Sequence, residues 1–162
     1  TYKCKSLGYA EVGAGAEASY TLLMGVLEGL SISQETASES AINGEFYDTP
    51  LDSVGTLGSY KIEFDLVKYK PEEIAAMEGG EFTAATGLYT MPSSFTNVYK
   101  QFKLEFYNGI DYIVIYKGKV ATNWDGTDLK TAPLKLHIAI TALVDNDGKT
   151  VEMKMAEPSV GG

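Results

Sequence analysis

The chain contains no arginine; all 13 of its basic residues are lysines. A guanidinium grips phosphate or carboxylate with two parallel hydrogen bonds, whereas an ammonium acts as a point charge. With a formal net charge of -9 at pH 7, the chain is poorly equipped to hold nucleic acid. Cations are also missing locally. None occurs between Lys5 and Lys61, a stretch that holds Glu11, Glu17, Glu28, Glu35, Glu39, Glu45, Asp48 and Asp52. The expected surface is soluble, chemically quiet and averse to DNA.

Cysteine is nearly absent as well. Cys4 alone excludes an internal disulfide framework. Lys3 and Lys5 flank it and favour a thiolate, but an incidental thiol is the simpler reading. The single histidine, His137, falls on a polar position of an alternating segment, and no motif assigns a Ser or Cys to it. A solvated or interface role is expected for it. One His and one Cys far apart in sequence are not a zinc cluster. Gly13-Ala14-Gly15-Ala16 lacks the third glycine and the βαβ frame of a dinucleotide fingerprint. Asp125-Gly126-Thr127-Asp128 and Asp145-Asn146-Asp147-Gly148 have calcium-loop composition, but Glu152 comes too early to be the closing ligand. Both read as turns. The pair Glu72 and Glu73 suits a helix N-terminus, and Glu63 with Asp65 suits a solvated strand face. No constellation for catalysis emerges, so the expectation is no enzyme, no cofactor and no metal.

No apolar run approaches the ~20 residues of a membrane span. Residues 20–30 are apolar, yet Glu11 and Glu17 precede them and Glu28 interrupts them, which is the wrong setting for a secretion signal. The expectation is a chain kept in a cytosol-like compartment or in a particle assembled there.

What remains fits one domain over 1–162, long enough to bury its own core. The 11 Tyr, 6 Phe and 17 Gly point to strands and tight turns. Residues 1–19 are small and mixed, and read as an N-terminal arm with no core of its own. Residues 31–36 alternate as a strand does. Residues 37–58 are polar and turn-rich, a connection long enough to suggest a functional loop. From Tyr60, Ile62, Phe64 and Leu66 alternate with Lys61, Glu63 and Asp65, so one face is apolar. Pro71 then opens a short helix over 71–78, in which Ile74 and Met77 press one face onto a sheet, and Gly79-Gly80 closes it. Residues 81–97 read as an irregular crossing. Phe102, Leu104 and Phe106 mark the next strand, Asn108-Gly109 a hairpin turn, and 112–120 the return strand. After a turn at 123–128, Leu134, Leu136, Ile138, Ile140 and Ala142 alternate into another strand. A turn at 145–148 leads to a last strand with Val151, Met153 and Met155, and 157–162 form a flexible tail. The fold class is mainly β, antiparallel, with one short helix and two hairpins in series at the C-terminal half.

The alternating strand from Tyr60, the helix opening at Pro71-Glu72-Glu73 and its end at Gly79-Gly80 resemble the central strand and helix of the phage tail tube (major tail) protein family. The segment Asn43, Gly44, Phe46, Tyr47 to Pro50 resembles that family's long loop, and the paired hairpins after Val98 resemble its C-terminal half. The resemblance implies a β-sandwich or barrel with the flanking helix of Pro71, Ile74 and Met77. It implies hexameric rings whose sheets merge into an inner barrel, stacked into a tail tube for genome delivery. The implied partners are other copies of the chain, with tape-measure, tail-terminator and baseplate or tail-tip proteins. The implied location is the virion tail, assembled in the host cytoplasm. An acidic lumen would let DNA slide without being held, and Glu35, Glu39, Glu63, Asp65 and Glu105 are its candidate lining. The loop around Asn43, Gly44, Phe46, Tyr47 and Pro50 would join one ring to the next. Two other readings stay open. One is the inner tube of a contractile injection or secretion system. The other is a monomeric carbohydrate- or surface-binding module stacking sugars on Tyr112, Tyr116 and Trp124.

Overall fold

The structure is a computed structural model and describes residues 4–15, 19–24, 26–42, 52–107, 111–126 and 128–155. Among the described residues, twelve strands and one helix run in the order β1 (Cys4–Ala10), β2 (Thr21–Leu22), β3 (Val26–Gln34), β4 (Ser38–Ile42), β5 (Asp52–Thr56), β6 (Tyr60–Lys68), α1 (Pro71–Glu78), β7 (Glu81–Thr83), β8 (Leu88–Thr90), β9 (Val98–Phe106), β10 (Tyr112–Asp125), β11 (Lys135–Leu143) and β12 (Val151–Lys154). The main antiparallel sheet has the order β2-β1-β9-β10-β11-β6-β3, with β12 as a branch on β10. The fold is therefore mainly β, of sandwich or barrel type, with one short helix.

Alternation builds the core. Ile62, Phe64 and Leu66 of β6 lie opposite Ile140, Ile138 and Leu136 of β11, and all six side chains are buried. Phe102 and Leu104 of β9 face the same side, opposite Ile115 and Ile113 of β10. Helix α1 closes this side with Ile74 and Met77, both within the core cluster. Its start and end follow the residues: Pro71 needs no amide partner at the first position, and Gly79 takes φ 90 as the left-handed cap. The sheet also curls. A cleft of about 670 Å³ is lined by Leu7 of β1 and Leu22 of β2 together with Leu30 of β3, strands from opposite ends of the order.

Several expectations are corrected. Part of the expected N-terminal arm is strand β1, with Leu7 in the core. Its alternation is broken by Gly8, where a Cβ would lie 2.9 Å from that of Tyr20. The expected long loop contains a ribbon, β4 against β5. Residues 38–42, Ser-Glu-Ser-Ala-Ile, show no sustained apolar alternation in the sequence, so hydropathy conceals a ribbon that the backbone ladder defines. The expected irregular crossing contains a second small ribbon, β7 against β8. The strand expected over 112–120 continues to Asp125, past the expected turn at 123.

The two C-terminal hairpins are also not simply in series. The last strand, β12, pairs with the first half of β10 and not with β11. Ile115 of β10 lies opposite Phe102, but the next pair is Gly118 with Lys100, so β10 holds one extra residue. This bulge bends a long strand. Its outer side is then shared, with β12 along 112–115 and β11 along 117–125. The bulge also exchanges the faces: Ile113 and Ile115 point inward before it, and Gly118 and Val120 after it. The expected loop at Asn43, Gly44, Phe46, Tyr47 and Pro50 and the expected tail at 157–162 lie outside the described residues.

Candidate functional site

The face of the main sheet turned away from the core collects most of the charged side chains singled out in the sequence. Cross-strand register places Glu63 and Asp65 of β6 beside Ala139 and His137 of β11, and Glu105 of β9 beside Tyr112 of β10. These three candidate lining acids share one face. Glu35 follows β3, and Glu39 lies on the β4–β5 ribbon, which pairs only within itself; both are exposed. The five are thus split between the sheet and the ribbon.

The sheet face is not an acidic surface. Lys61, Lys103, Lys119 and Lys135 occupy the same face by alternation and register. Lys103 lies 3.5 Å from Glu105, and Lys135 lies 3.1 Å from Glu28. The carboxylate of Glu28 is the first cause of a raised pKa at Lys135. Asp65 accepts at 2.8 Å from Nδ1 of His137 in the tautomer or ion that carries a proton there. Glu28 sits directly opposite Asp65 on the neighbouring strand. Lys135 and His137 each engage one of these two neighbouring carboxylates, which would otherwise repel. His137 therefore belongs to a polar cross-strand network.

A second group lies on the same face around β9, β10 and β12. The Lys103 ammonium stands 4.6 Å from the centre of the Tyr112 ring and 5.7 Å from that of Tyr20. Lys154 stands over Tyr112 at 5.9 Å, Lys149 over Tyr116 at 5.0 Å, and Lys117 over Tyr99 at 5.0 Å. Such contacts hold a cation without neutralising it. Gln101 is fully buried beneath the incoming chain and donates to the carbonyl of Gly15 and to Tyr20 Oη. Tyr116 is buried and donates its hydroxyl to Glu152. That bond, followed by burial, pushes the Tyr116 pKa up to about 12 from 10.0. The folded state keeps a proton that the unfolded chain releases near pH 10. This stabilisation is complete below that pH and is lost as pH rises through about 12. Tyr116→Phe is expected to remove on the order of 2 kcal/mol of alkaline destabilisation, read as the difference between variant and parent in chemical denaturation from about pH 9 to 12.

The rings named for sugar stacking are engaged elsewhere. Tyr116 is buried, Tyr112 lies under Lys103 and Lys154, and Trp124 packs edge-on to Tyr69 with centroids 5.5 Å apart. Trp124 also donates its indole N–H to Glu78 at 2.7 Å. Glu78, at the end of α1, accepts from the Tyr89 hydroxyl at 2.8 Å as well. One carboxylate thus ties helix, sheet and the β7–β8 ribbon together.

No protein-family model matches the chain, and no curated protein matches it. Among the described residues no group of three or more His, Cys, Asp or Glu side chains could hold a metal ion, and no helix is long and apolar enough to cross a membrane.

Sequence reasoning missed two features. Glu73, which with Glu72 suits the helix N-terminus by its charge, is also buried. Its Oε1 accepts from the Met24 amide at 2.5 Å, fixing the approach to β3, while Oε2 is buried with no partner among the described residues. The adjacent Tyr9 has its pKa raised, first by burial and then by Glu73. The lysine–tyrosine contacts were also missed. Their signal in the sequence is weak: lysine is concentrated after residue 98, but tyrosine is not.

Proposed function

We propose that this chain is a structural subunit that assembles with copies of itself into a phage-type tail tube, as hexameric rings stacked around a channel for DNA. The observation that carries this reading is the β4–β5 ribbon. Among the described residues it pairs only within itself, apart from the main sheet, and it bears exposed Glu39. A two-stranded ribbon is marginal alone, so its fit is to a neighbouring subunit. The open sheet adds support, because strands at its ends offer unpaired backbone groups to other chains. Heterologous contacts of this kind close into rings when the rotation per subunit fits. The resemblance carried by the strand from Tyr60 and the helix from Pro71 points the same way.

The role is passive in this reading, with no catalysis and no cofactor. Partners are other copies of the chain and the proteins that set tail length and cap its ends, and the location is the virion tail. Duplex DNA carries about one charge per 1.7 Å, and repulsion acts within roughly 8 Å at physiological salt. The interleaved lysines make the sheet face a weak source of that repulsion. A better source is Glu35 and Glu39 in the lysine-free 6–60 stretch, which have no cationic partner among the described residues, unlike Glu11 and Glu28. Purified protein is expected to be weakly associated when dilute and to form rings or tubes when concentrated or nucleated, as seen by negative-stain microscopy. A monomer at every concentration, with no order even beside tail components, overturns the proposal.

A further inference from the structure

Charge in this chain is divided along its length. The eight acids and no lysine of residues 6–60, set against a net charge of -9, leave the rest close to neutral. Acids outnumber bases 22 to 13, so a cation without a carboxylate partner is not explained by a shortage of carboxylates. Lys100, Lys103 and Lys135 are each paired with an acid. Lys117, Lys149 and Lys154 are not: among the described residues each sits over a tyrosine ring and in no ion pair. The three come from β10, the turn before β12, and β12 itself: Lys117 and Lys149 lie near the bulge after Ile115, and Lys154 stands opposite Tyr112 at the start of β10. The rings of Tyr99, Tyr116 and Tyr112 hold their ammoniums in place, which lowers the entropy lost when an anion binds. Lys149 and Lys154 are exposed. The exposed acids Glu35 and Glu39, at the base of β4 and on it, have no cationic partner among the described residues.

We infer that the face formed by Lys117, Lys149 and Lys154 receives the acidic β4–β5 ribbon of a second copy of this chain. The inference rests on the self-assembly reading and names the contact that would drive it. The occupant follows from charge: residues 35–56 hold acids and no lysine, their ladder is separate from the main sheet among the described residues, and every copy has them. An ammonium on a ring and an exposed carboxylate each retain charge that a head-to-tail contact satisfies, and the direction of the contact is set by the opposite signs of its two sides. Such a contact weakens with salt, since both sides are near solvent.

The first test uses the protein unaltered. A carbodiimide, which joins carboxylates to amines directly, is applied to assembled protein made from equal parts of isotopically light and heavy chains. Mixed light–heavy links from Glu35 or Glu39 to Lys149 or Lys154 are expected by mass spectrometry. Their absence from assembled material, while other links form, overturns the inference. The second test reverses charge. Lys117→Glu with Lys149→Glu and Lys154→Glu, or Glu35→Lys with Glu39→Lys, is expected to raise the concentration needed for assembly by about tenfold or more. The chain carrying all five changes is expected to recover it. Assembly indifferent to either reversal, or no recovery in the combined chain, overturns the contact and leaves the tube reading standing. A parent protein that never assembles overturns both. Binding of a labelled DNA duplex that is lost on reversing the three lysines would make the face a nucleic-acid site and overturn the inference.

Discussion

Phe102→Ala lowers the unfolding free energy by about 3–5 kcal/mol, the largest loss expected of any single change considered for this chain. Phe102 is fully buried on β9, between β1 and β10. A neighbouring glycine makes the reason specific. At Gly118 a Cβ would fall 2.9 Å from Phe102 Cδ2 and 2.6 Å from Ile140 Cγ2. The ring fills space that any other residue at 118 would occupy, so the strands leave no slack to close over a lost benzyl group. The converse follows: Gly118→Ala overpacks the same place and costs about 1–3 kcal/mol. The pair should be coupled. Phe102→Leu with Gly118→Ala is expected to cost less than the two single changes together, by about 0.5–2 kcal/mol, with Ile140 limiting the recovery. Urea denaturation of dilute protein, followed through the single tryptophan, measures all four states. Strict additivity would mean that Phe102 and Gly118 do not share the space assigned to them.

Glu78→Ala is expected to cost about 2–3 kcal/mol, because it leaves two half-buried donors, Tyr89 Oη and Trp124 Nε1, without their acceptor. Glu78→Gln keeps one acceptor oxygen and should lose about half as much. The change reads out locally, since Trp124 is the only tryptophan and its emission should shift to the red as water reaches the indole. Tyr89 supplies an independent signal. Its pKa is raised, first by burial and then by the hydrogen bond to Glu78. The folded state therefore holds the proton more tightly than the unfolded chain, and the associated stability is lost as pH rises above the ordinary tyrosine range. In Glu78→Ala the Tyr89 hydroxyl should titrate closer to that range, while its burial keeps part of the shift. An unchanged tyrosine titration would separate Glu78 from Tyr89 and remove the proposed tie between α1 and the β7–β8 ribbon.

Both predictions depend on a feature that periodicity cannot express. The strand at Tyr60–Lys68, the helix at Pro71–Glu78 and the strand at Lys135–Leu143 were legible, because each follows a single period and has clear punctuation. Strand β1 was not legible, since Gly8 interrupts its alternation and it gains its neighbours from β9, far along the chain. The β4–β5 ribbon was not legible, since residues 38–42 show no sustained apolar alternation in the sequence. The candidate acids were legible as charges on polar strand positions. Their surroundings were not: the lysines beside Glu63, Asp65 and Glu105 come from strands distant in sequence, and only register brings them together.

By itself the sequence determined the β class, the helix and its ends, the sides of the main strands that face the core, and the concentration of negative charge in 6–60. These are local properties, written in spacing and composition. Tertiary structure alone decided where β12 pairs, which cations lie among which acids, and that Glu78 and Glu73 act inside the fold while Glu39 stands outside the main sheet. Those outcomes depend on the bulge after Ile115 and on pairing between strands far apart in the chain. A one-residue change of register turns every later side chain to the opposite face, so the neighbours of a charge are settled only when the sheet has closed around the core.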